Sequence, residues 1–228
     1  MNLSPTVGGA LLFAVSVAAL PSQSPYPLAG TVLPFTPGNW TTGRSVIANI
    51  SGHGLPDLVV LASQPGRSTA FVAAAPAMHC TTHVLPGTAD LTIRDVAVLP
   101  NADPRSARDA LALLTDGGLW FWTYGGSKQH LGNSTWNSAT RIRTGLADAD
   151  DTPDVVGRMG NARNLRCHPL GAGMTTWFVD TGAEVVDFLL TDWCASAGEP
   201  HDEIVVAQAD RLRFVVDGHV DAARDVPL

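Results

Sequence analysis

The sequence predicts an all-β fold of about four small antiparallel sheets, each of four strands. Three observations predict it. An apolar run, a polar loop, an aspartate and a second apolar run recur four times, with the aspartates at Asp57, Asp109, Asp154 and Asp202, spaced by 52, 45 and 48 residues. The apolar runs are short, rich in β-branched side chains and bounded by glycine or proline, which is strand rather than helix patterning. The chain of 228 residues carries 22 Gly and 16 Pro, enough for many turns, and its 45% hydrophobic content suffices for a packed core.

The elements follow in order. The first copy is SVIANISGHGLPDLVVLAS, the second IRDVAVLPNADPRSARDALALLTD, the third TRIRTGLADADDTPDVVGRMG and the fourth EVVDFLLTDWCASAGEPHDEIVVAQ. After each aspartate, residues 58–61, 110–114, 155–156 and 204–206 read as inner strands. Turn signals follow at Gln64-Pro65-Gly66, at Asp116-Gly117-Gly118 and over 157–161. Third strands are expected over 69–74, 119–124, 164–168 and 211–216, the one at 164–168 being the least regular. Several strands are continuously apolar, as strands covered on both faces are. A repeat of this length is that of a four-stranded β-propeller blade, stacked against its neighbours. The segment TTHVLPGTADLTI at 81–93 aligns with GTVLPFTPGNWTT at 30–42, and the last repeat shows no fourth strand beyond Val216. Residues 29–37 are therefore expected to close the last blade as an N-terminal outer strand, removing a free sheet edge.

The loop from Asn49 through Ser51, His53 and Gly54 to Asp57-Leu58-Val59-Val60 resembles the FG-GAP/VCBS repeat of integrin-α-like propellers. In that family a D-x-N-x-D-G-x-x-D-L loop runs into a valine-rich strand. His201-Asp202-Glu203-Ile204-Val205-Val206 resembles the end of the same motif, and the two middle copies fit by spacing. The resemblance spans 45–216 and implies a propeller, commonly of seven blades in the family. About four blades imply a small ring, part of a larger ring, or an incomplete ring that forms a homo-oligomer.

The resemblance also implies calcium, held by oxygens at loop positions one, three, five and nine. The first loop offers one carboxylate and His53, the second places Arg105 at the fifth position, and the fourth is interrupted by an insertion. Only the third keeps several carboxylates, so Asp148, Asp150 and Asp154 are the candidate calcium ligands. In the other loops the last aspartate is expected to hydrogen-bond turn amides.

Other features bound the function. The net charge of −7 without a basic cluster argues against nucleic acid. Residues 1–24 read as a signal peptide or a leading strand, because the stretch TVGGALLFAVSVAAL is apolar and uncharged yet too short to span a bilayer comfortably. The repeat domain is expected over 25–228, secreted or at the cell surface, with no membrane insertion. Of the three cysteines, Cys167 and Cys194 are the pair to test. Neither a nucleophile elbow nor a phosphate loop occurs. Trp120 and Trp122 share one strand face, which suits either stacking on a sugar or filling the space between blades. These observations predict a non-catalytic extracellular module that binds a protein or glycan through its loops. The alternatives are a propeller-based polysaccharide lyase or hydrolase, and a structural module of a larger or oligomeric ring.

Overall fold

The computed structural model describes residues 42–64, 67–75, 79–85, 92–103, 107–125, 128–132, 134–148, 150, 152–171, 175–191, 202–216 and 218–228. All fall within one compact unit, Leu33–Leu228. The signal-peptide reading of 1–24 and the strand expected over 29–37 lie outside the described residues.

The described strands form four antiparallel sheets of four, each a meander in chain order. Blade 1 consists of β1 (Thr42–Ala48), β2 (Asp57–Gln64), β3 (Arg67–Ala74) and β4 (His79–Leu85). Blade 2 consists of β5 (Ile93–Asp103), β6 (Arg108–Thr115), β7 (Gly118–Trp122) and β8 (Lys128–Gly132). A 3-10 turn, Ser134–Ser138, leads to blade 3: β9 (Arg141–Gly145), β10 (Asp154–Arg158), β11 (Asn164–His168) and β12 (Trp177–Asp180). Blade 4 consists of β13 (Asp187–Thr191), β14 (Glu203–Ala207), β15 (Arg211–Val216) and β16 (His219–Pro227). The four sheets and their third strands stand where the repeat placed them, and β11 is as regular as its counterparts.

One expectation is corrected, that of an N-terminal closing strand. The strands that follow the aspartates are the second of each sheet, with a neighbour on either side. Consecutive blades meet through their first strands, β1 against β5, β5 against β9 and β9 against β13. The second strands β6, β10 and β14 are buried almost throughout, whereas in β9 only Ile142 is buried. Continuous apolarity therefore marks the middle of a blade. The last blade also completes itself: β16 pairs with β15 from Val216↔His219 to Arg211↔Pro227, so no N-terminal strand is needed there. The sequence HVDAARDVP hid this strand because Asp221, Arg224 and Asp225 interrupt its apolar residues and no position in it is fully buried.

Strand alternation sends successive side chains to opposite faces, and consecutive blades pack face to face. Val59, Leu61, Ala70 and Val72 of blade 1 pack on Leu111, Leu113 and Trp122 of blade 2. The other face of blade 2, with Ala110, Ala112 and Leu114, packs on Ile142, Val155 and Trp136. The other face of blade 3, with Val156, Leu165 and Cys167, packs on Phe188, Ile204, Val206 and Val215. The core is thus three seams between sheets.

Trp136 anchors the second seam. It is fully buried, and a Cβ on Gly157 would lie 2.4 Å from its ring, so only glycine leaves it room. Burial of so large a side chain contributes on the order of 3 kcal/mol.

Candidate functional site

The four repeat aspartates occupy equivalent places at the entry to the second strand. Asp57 and Asp154 begin β2 and β10, Asp109 is the second residue of β6, and Asp202 immediately precedes β14. Their carboxylates hold main-chain amides. In blade 1, Asp57 Oδ2 accepts from the Ser51 N–H at 2.7 Å, and Oδ1 accepts from Ser51 Oγ at 3.0 Å and the Ala75 N–H at 2.9 Å.

In blades 2 and 4 the aspartate reaches the preceding blade. Asp109 Oδ2 accepts from the Asn49 N–H at 2.7 Å, while its own N–H donates to the Asn49 carbonyl at 3.0 Å. Asp202 repeats this on Leu146, accepting at 2.9 Å and donating at 2.7 Å. Asn49 and Leu146 each follow the last residue of a first strand. The result is a two-point clamp across the first and third seams. Charge-assisted bonds of this kind contribute about 1.5–3 kcal/mol each. The clamp explains Gly145 as well: a Cβ there would lie 2.6 Å from Asp202 Oδ2.

The acidic third loop turns one oxygen of each carboxylate toward its own backbone. Asp148 Oδ1 accepts from the Asp150 N–H at 3.1 Å, Asp150 Oδ1 from the Thr152 N–H at 2.7 Å, and Asp154 Oδ2 from the Ala147 N–H at 2.8 Å. Asp154 is fully buried. Burial first, and then the Asp148 charge, pushes its carboxyl up to about 7. Among the described residues no three His, Cys, Asp or Glu side chains are grouped to hold a metal ion. The second oxygen of Asp154, Oδ1, is buried with no hydrogen-bond partner among the described residues. Cys167 is a buried free thiol, raised by burial and then by Asp154 and Asp148. Cys194 lies outside the described residues.

Trp120 and Trp122 share the face of β7 that meets blade 1. Trp122 is 2% exposed and belongs to the seam, so it offers no face to a sugar. Trp120 is half-buried, its ring 4.7 Å from that of the exposed His130. From blade 1, the half-buried His83 places its ring 4.9 Å from Tyr124 and 6.0 Å from Trp122. Its Nε2 lies 2.9 Å from Thr81 Oγ1. A row of rings, His83, Tyr124, Trp122, Trp120 and His130, thus follows the first seam. The sequence reading did not join His83, Tyr124 or His130 to the tryptophans. Only Tyr124, two residues beyond Trp122, carried a local signal; the histidines join through pairing between strands.

No protein-family model matches the chain, and no curated protein matches it. Among solved structures it resembles that described as "BBS1N in complex with ARL6DN, soaked with lead", with a TM-score of 0.52 and 14% identity over 82% of this chain and 54% of that one. The chain spans about half the length of the solved chain it matches. The four sheets and this likeness define an all-β, propeller-like fold.

Proposed function

We propose that the chain is a degenerate propeller module of the FG-GAP/VCBS type, acting outside the cell as a non-catalytic binder of a protein or glycan. The observation that carries this reading is the row of partly open aromatic and imidazole rings, Trp120 with His130 and His83 with Tyr124, along the first seam. Such rings stack on sugar C–H faces or on partner side chains, and three of the four, Trp120, His130 and His83, sit on paired strands. The repeat aspartates support it too, since their carboxylates serve the backbone. BBS1N is described in complex with ARL6DN, so a protein of this fold can carry a protein partner. A glycan array and a pull-down, each run with Trp120→Ala, test the reading. Expected is a ligand whose affinity falls at least tenfold in the variant. Turnover of a polysaccharide, without any stable ligand, refutes it.

A second reading, a structural module of a larger or oligomeric ring, draws on one observation. Ile47 on the outward face of blade 1 is 63% exposed and Leu189 on that of blade 4 is 48% exposed. Among the described residues, no packing like that between consecutive blades joins β13 to β1. Light scattering tests it: a clean single-chain mass counts against self-assembly.

A further inference from the structure

Where two blades meet, their first strands lie side by side. From β1, β5, β9 and β13, the side chains of Ala48, Leu99, Ile142 and Phe188 turn into the three seams and are at most 4% exposed. Two first-strand side chains have no seam to enter. Ile47 alternates with Val46 and Ala48, so it faces away from blade 2, and it is 63% exposed. Leu189 alternates with Phe188 and Leu190, so it faces away from blade 3, and it is 48% exposed. Phe71 and Phe214, on the third strands of these two faces, are buried, so a neighbour would gain most at the first strands, where blades join.

Among the described residues, Ile47 and Leu189 do not cover each other, since nothing like the packing of consecutive blades joins β13 to β1. The two faces are nevertheless of complementary kind. Blade 4 presents the side by which each earlier blade meets the next one, and blade 1 presents the side by which each later blade meets the one before. Placing blade 4 of one copy on blade 1 of another repeats a contact that the chain already makes three times. Such a seam does not require the aspartate clamp. The second seam forms while Asp154 holds Ala147 of its own blade, and Asp57 likewise uses both oxygens within blade 1. Propellers close with about four to eight blades, and assemblies of identical chains are mostly closed and symmetric. Two copies supply twice the four sheets of one chain, which falls within that range.

We propose that two copies of the chain join head to tail, the Leu189 face of each blade 4 packing on the Ile47 face of the other copy's blade 1, and so close a ring through two identical seams. This rests on the reading of the chain as a module of an oligomeric ring, and it names the partner and the contact. Once one seam has formed, the second is made within the same pair, at high effective concentration.

The test uses the full chain, multi-angle light scattering and two substitutions at these exposed positions, Ile47→Asp and Leu189→Lys. Expected is the mass of two chains for the wild type and of one chain for either variant alone. An equimolar mixture of the variants should regain the mass of two chains, because one of its seams is wild-type and the other sets the new carboxylate against the new ammonium. Circular dichroism checks that each variant is folded, and the charge-swapped pair, Ile47→Lys with Leu189→Asp, gives the same comparison should one fail. A single-chain mass for the wild type overturns the proposal together with self-assembly. Assembly that survives both substitutions, dissociation by Leu189→Lys alone, a mixture that stays at one chain, or a wild-type species larger than two chains overturns the proposal and leaves the oligomeric-ring reading standing.

Discussion

Asp154→Asn removes one buried charge and keeps an acceptor for the Ala147 N–H. The Asp154 carboxyl rises from 3.8 to about 7 on folding, chiefly through burial and then the Asp148 charge. At about 1.4 kcal/mol for each tenfold change in acidity constant, the rise corresponds to about 4 kcal/mol. The sign follows from proton binding. Between pH 4 and pH 7 the native state holds a proton that the unfolded chain has released, so stability falls as pH rises. The contribution is fully present below about pH 4 and is lost as pH passes through about 7. The asparagine variant lacks this dependence. Urea unfolding of both proteins from pH 4 to pH 8 should therefore show the variant gaining on the wild type by about 4 kcal/mol. A constant difference refutes the burial argument. A difference of opposite slope means that the native site favours the carboxylate, as it would around a bound cation.

Further outcomes follow from the same geometry. Thermal midpoints in excess calcium and in chelator should coincide, since a ligand at a hundredfold excess over its dissociation constant adds about 2.7 kcal/mol and would raise the midpoint visibly. Gly157→Ala should cost about 1–3 kcal/mol in chemical denaturation, because the added methyl meets the buried Trp136 ring. Asp109→Ala should cost about 2–4 kcal/mol, through loss of its bonds to the Asn49 and Asn101 amides, with faster hydrogen exchange at Asn49. Gly145→Ala should cost a similar amount as overpacking does, with Leu146 the amide whose protection falls.

The strand–loop–Asp–strand period located all four blades, because Asp57, Asp109, Asp154 and Asp202 stand at the same place, the entry to the second strand, in each. What the period could not supply was partnership across seams. Nothing near Asp109 in sequence shows that it grips Asn49, sixty residues away. Strand β16 escaped notice because Arg224 and Asp221, paired with each other on its surface, break apolar alternation. Trp136 read as one tryptophan among six, and its role needed Gly157 to be seen beneath it. At the third loop the acidic spacing suggested ligands, but it did not reveal that Asp150 and Thr152 supply the donors that the carboxylates accept.

The clamps of Asn49 with Asp109 and of Leu146 with Asp202 each tie residues less than one and a half repeats apart. Each such joint can therefore form as soon as the following repeat has been synthesised, without waiting for the far end of the polypeptide. Short closure distances of this kind favour rapid, stepwise folding. Assembly in the order of translation then limits how long any apolar sheet face stands uncovered, which is when repeat chains are most prone to mispair.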